Sequence, residues 1–284
     1  MIGNSAVSIV TVTYNAEGSI RGTIESVASQ TFSDYEYIII DGLSKDRTVS
    51  IAEQYSEQFK RGNITYKIVS EKDTGIYNAM NKAYQYCSGD YILFLNAGDK
   101  LCDSDALKNL WIKVGKNPFA DIIYADTIEK HMNLYRYAVG EDICVINEKM
   151  PFCHQSVLTA RELFKDDKYN ENYKICADYD FYLRKYLERK RFVYVGIPLS
   201  IYDMNGVSSS DDSYAFFYER IKIRYETSVI NKKEFETEVK RLIYRKKKRI
   251  IINMIKKIIP NNILRHRKIR QLKQRGWKEW EEIT

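Results

Sequence analysis

The stretch VSIVTVTYN, residues 7–15, is an apolar and β-branched run that ends in the triplet Thr-Tyr-Asn. Such a run is typical of a strand in the middle of a sheet. Similar runs follow at residues 35–40, 64–69 and 91–95. Segments with helical spacing lie between them, at residues 19–29, 46–55 and 76–86. This alternation predicts βαβ units through about residue 116, with helices on both faces of a mostly parallel sheet.

The remainder of the chain divides into a mixed segment and a basic helical segment. Strand patterns occur at residues 121–125, 134–139 and 192–195, and a helical pattern occurs at 178–189. Pro198 and residues 206–212 are expected to form loops. From Tyr214 onward the spacing is helical and the charge is basic. We therefore predict an α/β domain over residues 1–212 and a basic C-terminal helical extension over 213–284.

The net charge of +7 is divided unevenly between these two parts. Residues 213–284 carry 21 Lys/Arg and 8 Asp/Glu, whereas residues 1–212 carry 24 and 30. Apolar residues of the extension, among them Phe235, Val239 and Leu242, can share one helical face, largely opposite the basic run 245–249. This pattern suits an anionic membrane surface, and it equally suits a helix that packs on the α/β domain. Nucleic acid is a weaker candidate, because no recognition module accompanies the charge.

The cysteines and the N-terminus bear on the compartment. The five cysteines form no CxxC pair and are odd in number, which predicts reduced thiols. The first residues lack the basic region of a signal peptide, and no apolar run approaches the ~20 residues that a spanning helix needs. We expect a cytoplasmic protein that meets a membrane, if at all, as a peripheral protein on its inner face.

The strand ends carry the residues most suited to chemistry. Residues 13–15, Asp41, 71–73 and 96–99 follow the four N-terminal strands, and ligands bind parallel sheets at this edge. Three of these four ends are acidic, and neither a dinucleotide-binding glycine motif nor a P-loop is present. Carboxylates can face a diphosphate when a divalent cation such as Mn²⁺ or Mg²⁺ bridges them.

At this point the sequence resembles the family 2 glycosyltransferases with the GT-A fold, of the bacterial polysaccharide and glycolipid type. The resemblance rests on motifs in family order and spacing over roughly the first 100 residues. These are VSIVTVTYN (7–15), YIIIDGLSKD (37–46), EKDTGIYNAM (71–80) and GDYILFLNAGD (89–99). Weaker matches follow at PFCHQS (151–156) and ADYDFYLR (177–184). The resemblance leaves the basic extension unexplained.

The resemblance implies a nucleotide pocket at the strand ends. Thr13, Tyr14 and Asn15 would line it, with Tyr14 against the base. Asp41 would accept a hydrogen bond from the base or ribose, and Asp73 would lie beside the base and the donor sugar. A turn or helix-cap role is the alternative for both aspartates.

The resemblance also implies a metal site at Asn96–Asp99, where the family keeps its DxD-type motif. Here Asn96 and Gly98 replace two of the usual acids and only Asp99 remains acidic, so we assign Asn96 to the nucleotide and Asp99 to the metal. One carboxylate with diphosphate oxygens and water can still hold Mg²⁺. The alternative is a plain turn without a metal.

Asp178 matches the catalytic base of the family. Asp180 lies roughly 200° away around a helix, so both carboxylates cannot point into one cleft; a helix cap is the alternative role. His154 and Gln155 are assigned to the acceptor or diphosphate, with metal ligation and a structural role as alternatives for His154.

Together these features predict an inverting glycosyltransferase, of the hexosyltransferase type, in cell-surface polysaccharide biosynthesis. It would transfer a sugar from a nucleotide-diphosphate donor to a hydroxyl of a glycan or lipid-linked acceptor. The alternative function is a degenerate glycosyltransferase that binds a sugar nucleotide or a glycan without turnover.

Overall fold

The computed structural model describes residues 5–115, 120–204, 214–256 and 261–283. The strands in these ranges are β1 Val7–Thr13, β2 Tyr35–Asp41, β3 Thr65–Ser70, β4 Tyr91–Phe94, β5 Lys100–Leu101, β6 Ile122–His131, β7 Leu134–Ala138, β8 Val157–Ala160 and β9 Phe192–Asp203. The helices are α1 Ile20–Ala28, α2 Thr48–Glu53, α3 Ser56–Arg61, α4 Ile76–Ala83, α5 Ala106–Val114, α6 Ala177–Leu187, α7 Tyr214–Glu226, α8 Lys232–Lys256 and α9 Asn261–Gln274. The strands form one sheet in the order β3-β2-β1-β4-β8-β6-β9-β5, and β7 pairs with β6.

The N-terminal half of the sheet consists of the parallel neighbours β3, β2, β1 and β4. Thr13 lies beside Asp41, and Asp41 lies beside Ser70. Beyond β4, the Leu95 amide still donates to the carbonyl of Val10 on β1. The polar residues that follow these strands therefore meet at one edge of the sheet, as the sequence predicts.

Two apolar layers cover this sheet, one on each face. Along β1, Ile9 belongs to one layer and Val10 to the other. The first layer includes Ile24 of α1, and the second includes Met80 of α4 and Phe181 of α6. Because both faces are covered, all seven residues of β1 are buried, which accounts for the lack of polar alternation in the sequence.

The C-terminal half of the sheet mixes parallel and antiparallel pairs, and its long strands exceed the sequence prediction. Strand β9 continues through Pro198, so the prediction of a loop there is wrong. Pro198 lies opposite Asp126 at a register irregularity between β6 and β9. A proline is tolerated at such a point because the ladder of hydrogen bonds is already interrupted. The α/β fold class itself is confirmed.

Helix α7 packs on the α/β body, and α8 packs on α7. Ile223 of α7 is fully buried in the same apolar layer as α6. On α8, Phe235, Val239 and Leu242 pack against α7, so the helix-packing alternative describes this stretch. The domain boundary predicted near residue 212 lies outside the described residues.

The C-terminal segment returns to the hairpin formed by β6 and β7. Lys278 pairs with Tyr135 in an isolated antiparallel bridge, and the Trp277 ring packs against His131 and Arg136.

Over the described ranges, no helix combines the length and the apolar character that a membrane crossing requires.

Candidate active site

The loops after β1 and β2 are joined by hydrogen bonds through Asn15. The Asn15 amide donates to Oγ of Ser44 at 2.8 Å, and its side-chain Oδ1 accepts from the Lys45 amide at 2.8 Å. Asn15 holds the left-handed φ of 47°, which asparagine adopts more readily than most residues. The preceding Tyr14 leaves 59% of its surface exposed. An aromatic face at the edge of the sheet is thus open to a planar ligand.

Asp41 is fully buried at the end of β2. Its carboxylate accepts hydrogen bonds from the Ser44 amide, the Ser44 hydroxyl and the Ser70 hydroxyl. These hydrogen bonds are those expected for the turn alternative, and through Ser44 they shape the loop that holds Asn15.

Tyr14 and Asp73 both lie close to Gly42. A methyl group at Gly42 would collide with Oδ2 of Asp73 and would lie 3.3 Å from the Tyr14 ring. The other oxygen of Asp73 accepts from the Gly75 amide at 3.0 Å, just before α4. The structure thus brings together two of the predicted nucleotide residues, and the glycine leaves room for both.

The turn Asn96–Asp99 is held by α1. The Gly98 amide donates to Oγ1 of Thr23 at 2.9 Å, and that hydroxyl donates to the Asp99 carbonyl at 2.7 Å. Gly98 has a φ of 110°, a conformation that an aspartate would adopt only with strain. The backbone of this turn therefore accounts for glycine at the position where the family has an acid.

Asn96 and Asp99 offer oxygen atoms that suit a hard divalent cation. Oδ1 of Asn96 is buried and has no hydrogen-bond partner within the described part of the chain. Asp99 is 5% exposed, and its Oδ1 accepts from the Asp203 amide at 3.0 Å. Burial raises the pKa of Asp99 to about 7, although hydrogen bonds from Asp203 and Gln155 act to lower this pKa. A buried carboxylate of this kind is stabilised by a nearby cation.

This pair does not form a complete metal site. In the ranges that the structure covers, no group of three or more His, Cys, Asp or Glu side chains could enclose an ion. Asn96 and Asp99 therefore fit a divalent cation only if the remaining ligands come from diphosphate and water, which is a common arrangement for Mg²⁺.

His154 is a buried member of an aromatic cluster. Its Nε2 lies 2.9 Å from the Tyr169 hydroxyl, and its ring stacks on Phe94 at a centroid distance of 5.6 Å. Burial lowers the pKa of His154, although nearby Asp178 opposes this. The arrangement supports the structural role for His154 over a contact with diphosphate or acceptor. The neighbouring Gln155 differs, because it hydrogen-bonds to Asp99.

Asp178 and Asp180, at the start of α6, differ in burial and in their partners. Asp178 is half-buried, and its Oδ1 accepts from the Tyr77 hydroxyl at 3.0 Å. Asp180 is 4% exposed and is paired with Nε of Arg184 at 3.0 Å. In the described part of the chain, Asp178 takes part in no ion pair. Of these two carboxylates, only Asp178 is without a cationic partner in the described part of the chain.

Two positioning side chains were not identified from the sequence. Tyr77 and Thr23 contact the proposed base and the Asn96–Asp99 turn, respectively. Tyr77 lies within the quoted motif EKDTGIYNAM, so its position was visible although its partner was not. Thr23 lies on α1 without any local signal, because its contact is 75 residues away along the chain.

Comparisons with known proteins identify the family of this chain. The model of glycosyl transferase family 2 matches residues 8–190. A PGL/p-HBAD biosynthesis glycosyltransferase of Mycobacterium bovis BCG Pasteur is 32% identical over 180 residues, which cover 62% of this chain and 68% of that protein.

Solved structures share the fold at low sequence identity. Staphylococcus aureus TarS 1–349 in complex with UDP gives a TM-score of 0.62 at 18% identity, over 84% of this chain and 71% of the other. The mannosyltransferase PcManGT of Pyrobaculum calidifontis, in complex with GDP-Man and Mn²⁺, gives a TM-score of 0.59 at 14% identity. This match covers 80% of this chain and 65% of the other. Since the family model covers more than half of the chain, the protein is a glycosyltransferase with the GT-A fold and belongs to family 2.

Proposed function

We propose that this protein is an inverting glycosyltransferase that moves a sugar from a nucleotide-diphosphate donor to a hydroxyl of a glycan or lipid-linked acceptor. The observation that carries the proposal is the contrast at α6. Asp178 has a hydroxyl partner and no ion pair within the described residues, whereas Asp180 is neutralised by Arg184. An inverting transfer needs one such carboxylate within reach of the acceptor hydroxyl.

The donor would bind over the strand ends. Tyr14 would stack on the base, while Asp73, Asn15 and Thr13 would line the nucleotide pocket, with Asn96 beside them. The approach of both Tyr14 and Asp73 to Gly42 supports this pocket. UDP in the TarS complex and GDP-Man in the PcManGT complex also support a nucleotide-linked donor.

Asp99, with the oxygen of Asn96, would hold Mn²⁺ or Mg²⁺ against the donor diphosphate. When bound, the cation would neutralise charge on the departing diphosphate. The buried Asn96 oxygen without a partner in the described structure supports this assignment, as does the Mn²⁺ in the PcManGT complex. Gln155 would orient Asp99 through their hydrogen bond.

In the proposed reaction Asp178 accepts the proton of the acceptor hydroxyl as its oxygen attacks the anomeric carbon. The bond between that carbon and the diphosphate oxygen breaks on the opposite face, and the configuration inverts. The Tyr77 hydroxyl, 3.0 Å from Oδ1, would fix the orientation of the carboxylate.

The acceptor would belong to a cell-surface polysaccharide or glycolipid made at the cytoplasmic face of a membrane. The basic run Arg245–Lys248 on α8 is exposed, and beside it Ile243 and Tyr244 are 40% and 70% exposed. Exposed cations next to exposed apolar groups favour peripheral binding to anionic lipid.

The donor site can be tested without knowing the acceptor. We would measure the thermal stability of the full chain with UDP-GlcNAc, UDP-glucose, GDP-mannose and dTDP-rhamnose, each with MnCl₂ or with EDTA, and assay release of the nucleoside diphosphate. A matched donor at saturation should stabilise the protein by a few kcal/mol. The chelator should remove most of this gain.

Asp99→Asn is the matched variant, because its amide oxygen can still accept from the Asp203 amide. It should keep the ligand-free melting temperature and lose the increment that depends on Mn²⁺. Stabilisation without any nucleotide release would favour the binding-module alternative. That alternative is motivated by Asn96 and Gly98, which replace two acids of the usual metal motif. No stabilisation by any donor would contradict the proposal.

A further inference from the structure

We propose that Glu219 of α7 is a positioning residue of the transfer reaction. It fixes the segment 174–176 that leads into α6, and it thereby sets where Asp178 stands in the active site. This inference rests on the proposed function, in which Asp178 is the base. It also extends the catalytic unit into the helix that follows residue 213, beyond the part of the chain that the family model matches.

The Glu219 carboxylate accepts hydrogen bonds from three consecutive backbone amides. One oxygen accepts from the Lys174 amide at 2.9 Å, and the other accepts from the amides of Ile175 and Cys176 at 3.0 and 2.9 Å. These amides lie just before the first turn of α6, where backbone N–H groups have no helical acceptor. A single side chain therefore binds the three consecutive amides that lead into the helix.

The helix has no side-chain cap of its own. Cys176 occupies the N-cap position and makes no capping hydrogen bond with its side chain. A carboxylate at this end also interacts favourably with the helix dipole. Glu219 thus holds from another helix the amide of the N-cap residue and the two amides before it.

The fixed segment is connected directly to the proposed base. The Tyr77 hydroxyl lies 2.7 Å from the Ile175 carbonyl oxygen and 3.0 Å from Oδ1 of Asp178. A single hydroxyl proton serves both acceptors, so the position of Ile175 affects the bond that Tyr77 makes to the carboxylate. Displacing the segment would therefore move Asp178 and weaken its orienting contact together.

A second carboxylate of α7 holds the same segment. Glu226 accepts a hydrogen bond from the Tyr173 hydroxyl, one residue before the amides that Glu219 binds. By contrast, Glu238 of α8 pairs with Arg224 at 2.8 Å and does not contact this segment. Glu238→Gln is thus a matched control, because this substitution removes an ion pair with Arg224 of α7 and leaves the hydrogen bonds of Glu219 in place.

The test compares Glu219→Ala, Glu219→Gln and Glu238→Gln in the full chain, alone and combined with Asp178→Asn. The readout is nucleoside diphosphate release from the four donors named above, with MnCl₂. Glu219→Ala should lower kcat by about 10- to 100-fold, as expected for a misplaced catalytic group, with KM for the donor changed less than about 2-fold. Glu219→Gln, which keeps one acceptor oxygen, should lose less. Glu238→Gln should retain its kcat.

The combination with Asp178→Asn separates positioning from general damage. If Glu219 acts through Asp178, Glu219→Ala should add little further loss to Asp178→Asn. A loss that multiplies in full, or a KM effect without a kcat effect, would overturn the inference while leaving the proposed function intact. If Asp178→Asn alone leaves kcat unchanged, the proposed base is wrong, which is a separate failure.

Amide hydrogen exchange provides a second measurement that needs no donor. In Glu219→Gln the amides of residues 174–176 should exchange faster, while the β1 amides keep their protection. Unchanged exchange at 174–176 would also overturn the inference. This measurement covers the case in which Glu219→Ala does not fold.

Discussion

At the scale of single residues, two aspartates that lie two positions apart on α6 have different partners. Asp180 is buried against Arg184, and burial raises its pKa although the guanidinium opposes this. Asp178 faces the Tyr77 hydroxyl and the aromatic cluster around His154. Because neighbouring positions of a helix point in different directions, only one of the two can serve the cleft.

Asparagine substitution at the two positions tests this division. Asp178→Asn keeps the shape and removes the proton acceptor, so kcat should fall by roughly 100-fold or more. Stabilisation by the donor should be retained, since the nucleotide pocket is not altered. Asp180→Asn should reduce kcat less and lower the melting temperature, because it breaks the pair with Arg184. The reverse order in kcat would contradict the assignment.

The sequence predicted this site unevenly. Tyr14, Asp73 and Asp178 could be assigned because each belongs to a motif at a strand or helix end. Asp41 and His154 were assigned on the same grounds, but their partners Ser70 and Tyr169 are brought close only by the fold. Whether a polar side chain is open or already satisfied depends on such distant neighbours, and motif spacing does not reveal it.

At the scale of elements, buried strands were predicted well and later strands less well. Strand β1 is buried on both faces, so nearly every position is apolar or β-branched. Strand β9 crosses Pro198, and β6 carries buried Asp126, whose oxygens accept from Tyr137, Gly140 and Tyr194. Polar groups satisfied by side chains from other elements give a strand no recognisable pattern.

The exposed stretch 243–248 of α8 is the part of the chain that we expect to meet lipid. Three cations with exposed side chains, Arg245, Lys247 and Lys248, can be replaced by glutamine. Near an anionic leaflet each contributes about 1 kcal/mol, so the triple variant should bind phosphatidylserine vesicles roughly 100-fold more weakly. Co-sedimentation at low and high salt measures this.

The matched control replaces Lys232, Lys233 and Lys240 on the same helix with glutamine. An equal loss in both variants would mean that the overall charge, and not the basic run Arg245–Lys248, governs binding to the vesicles. If the unaltered chain ignores anionic vesicles at low salt, the lipid assignment is wrong. Neither variant should change nucleotide release, since these positions lie outside the proposed site.

At the scale of the whole molecule, the site is assembled from distant parts of the chain. The proposed donor side comes from the ends of β1 and β4 and from the loop before α4. The proposed base lies on α6, whose entry is held by Glu219 of α7. A chain cut near residue 212 would lose both this carboxylate and the buried Ile223. For this reason the extension is better tested by substitution than by truncation.

The central claim is a single displacement in which Asp178 accepts the proton of the attacking hydroxyl. The most direct measurement is the anomeric configuration of the sugar first released or transferred from an α-linked donor such as UDP-GlcNAc, followed by proton NMR before the anomers equilibrate. One displacement inverts the anomeric carbon, so the account predicts a β product. An α product would show retention, and it would contradict the role of Asp178 as base.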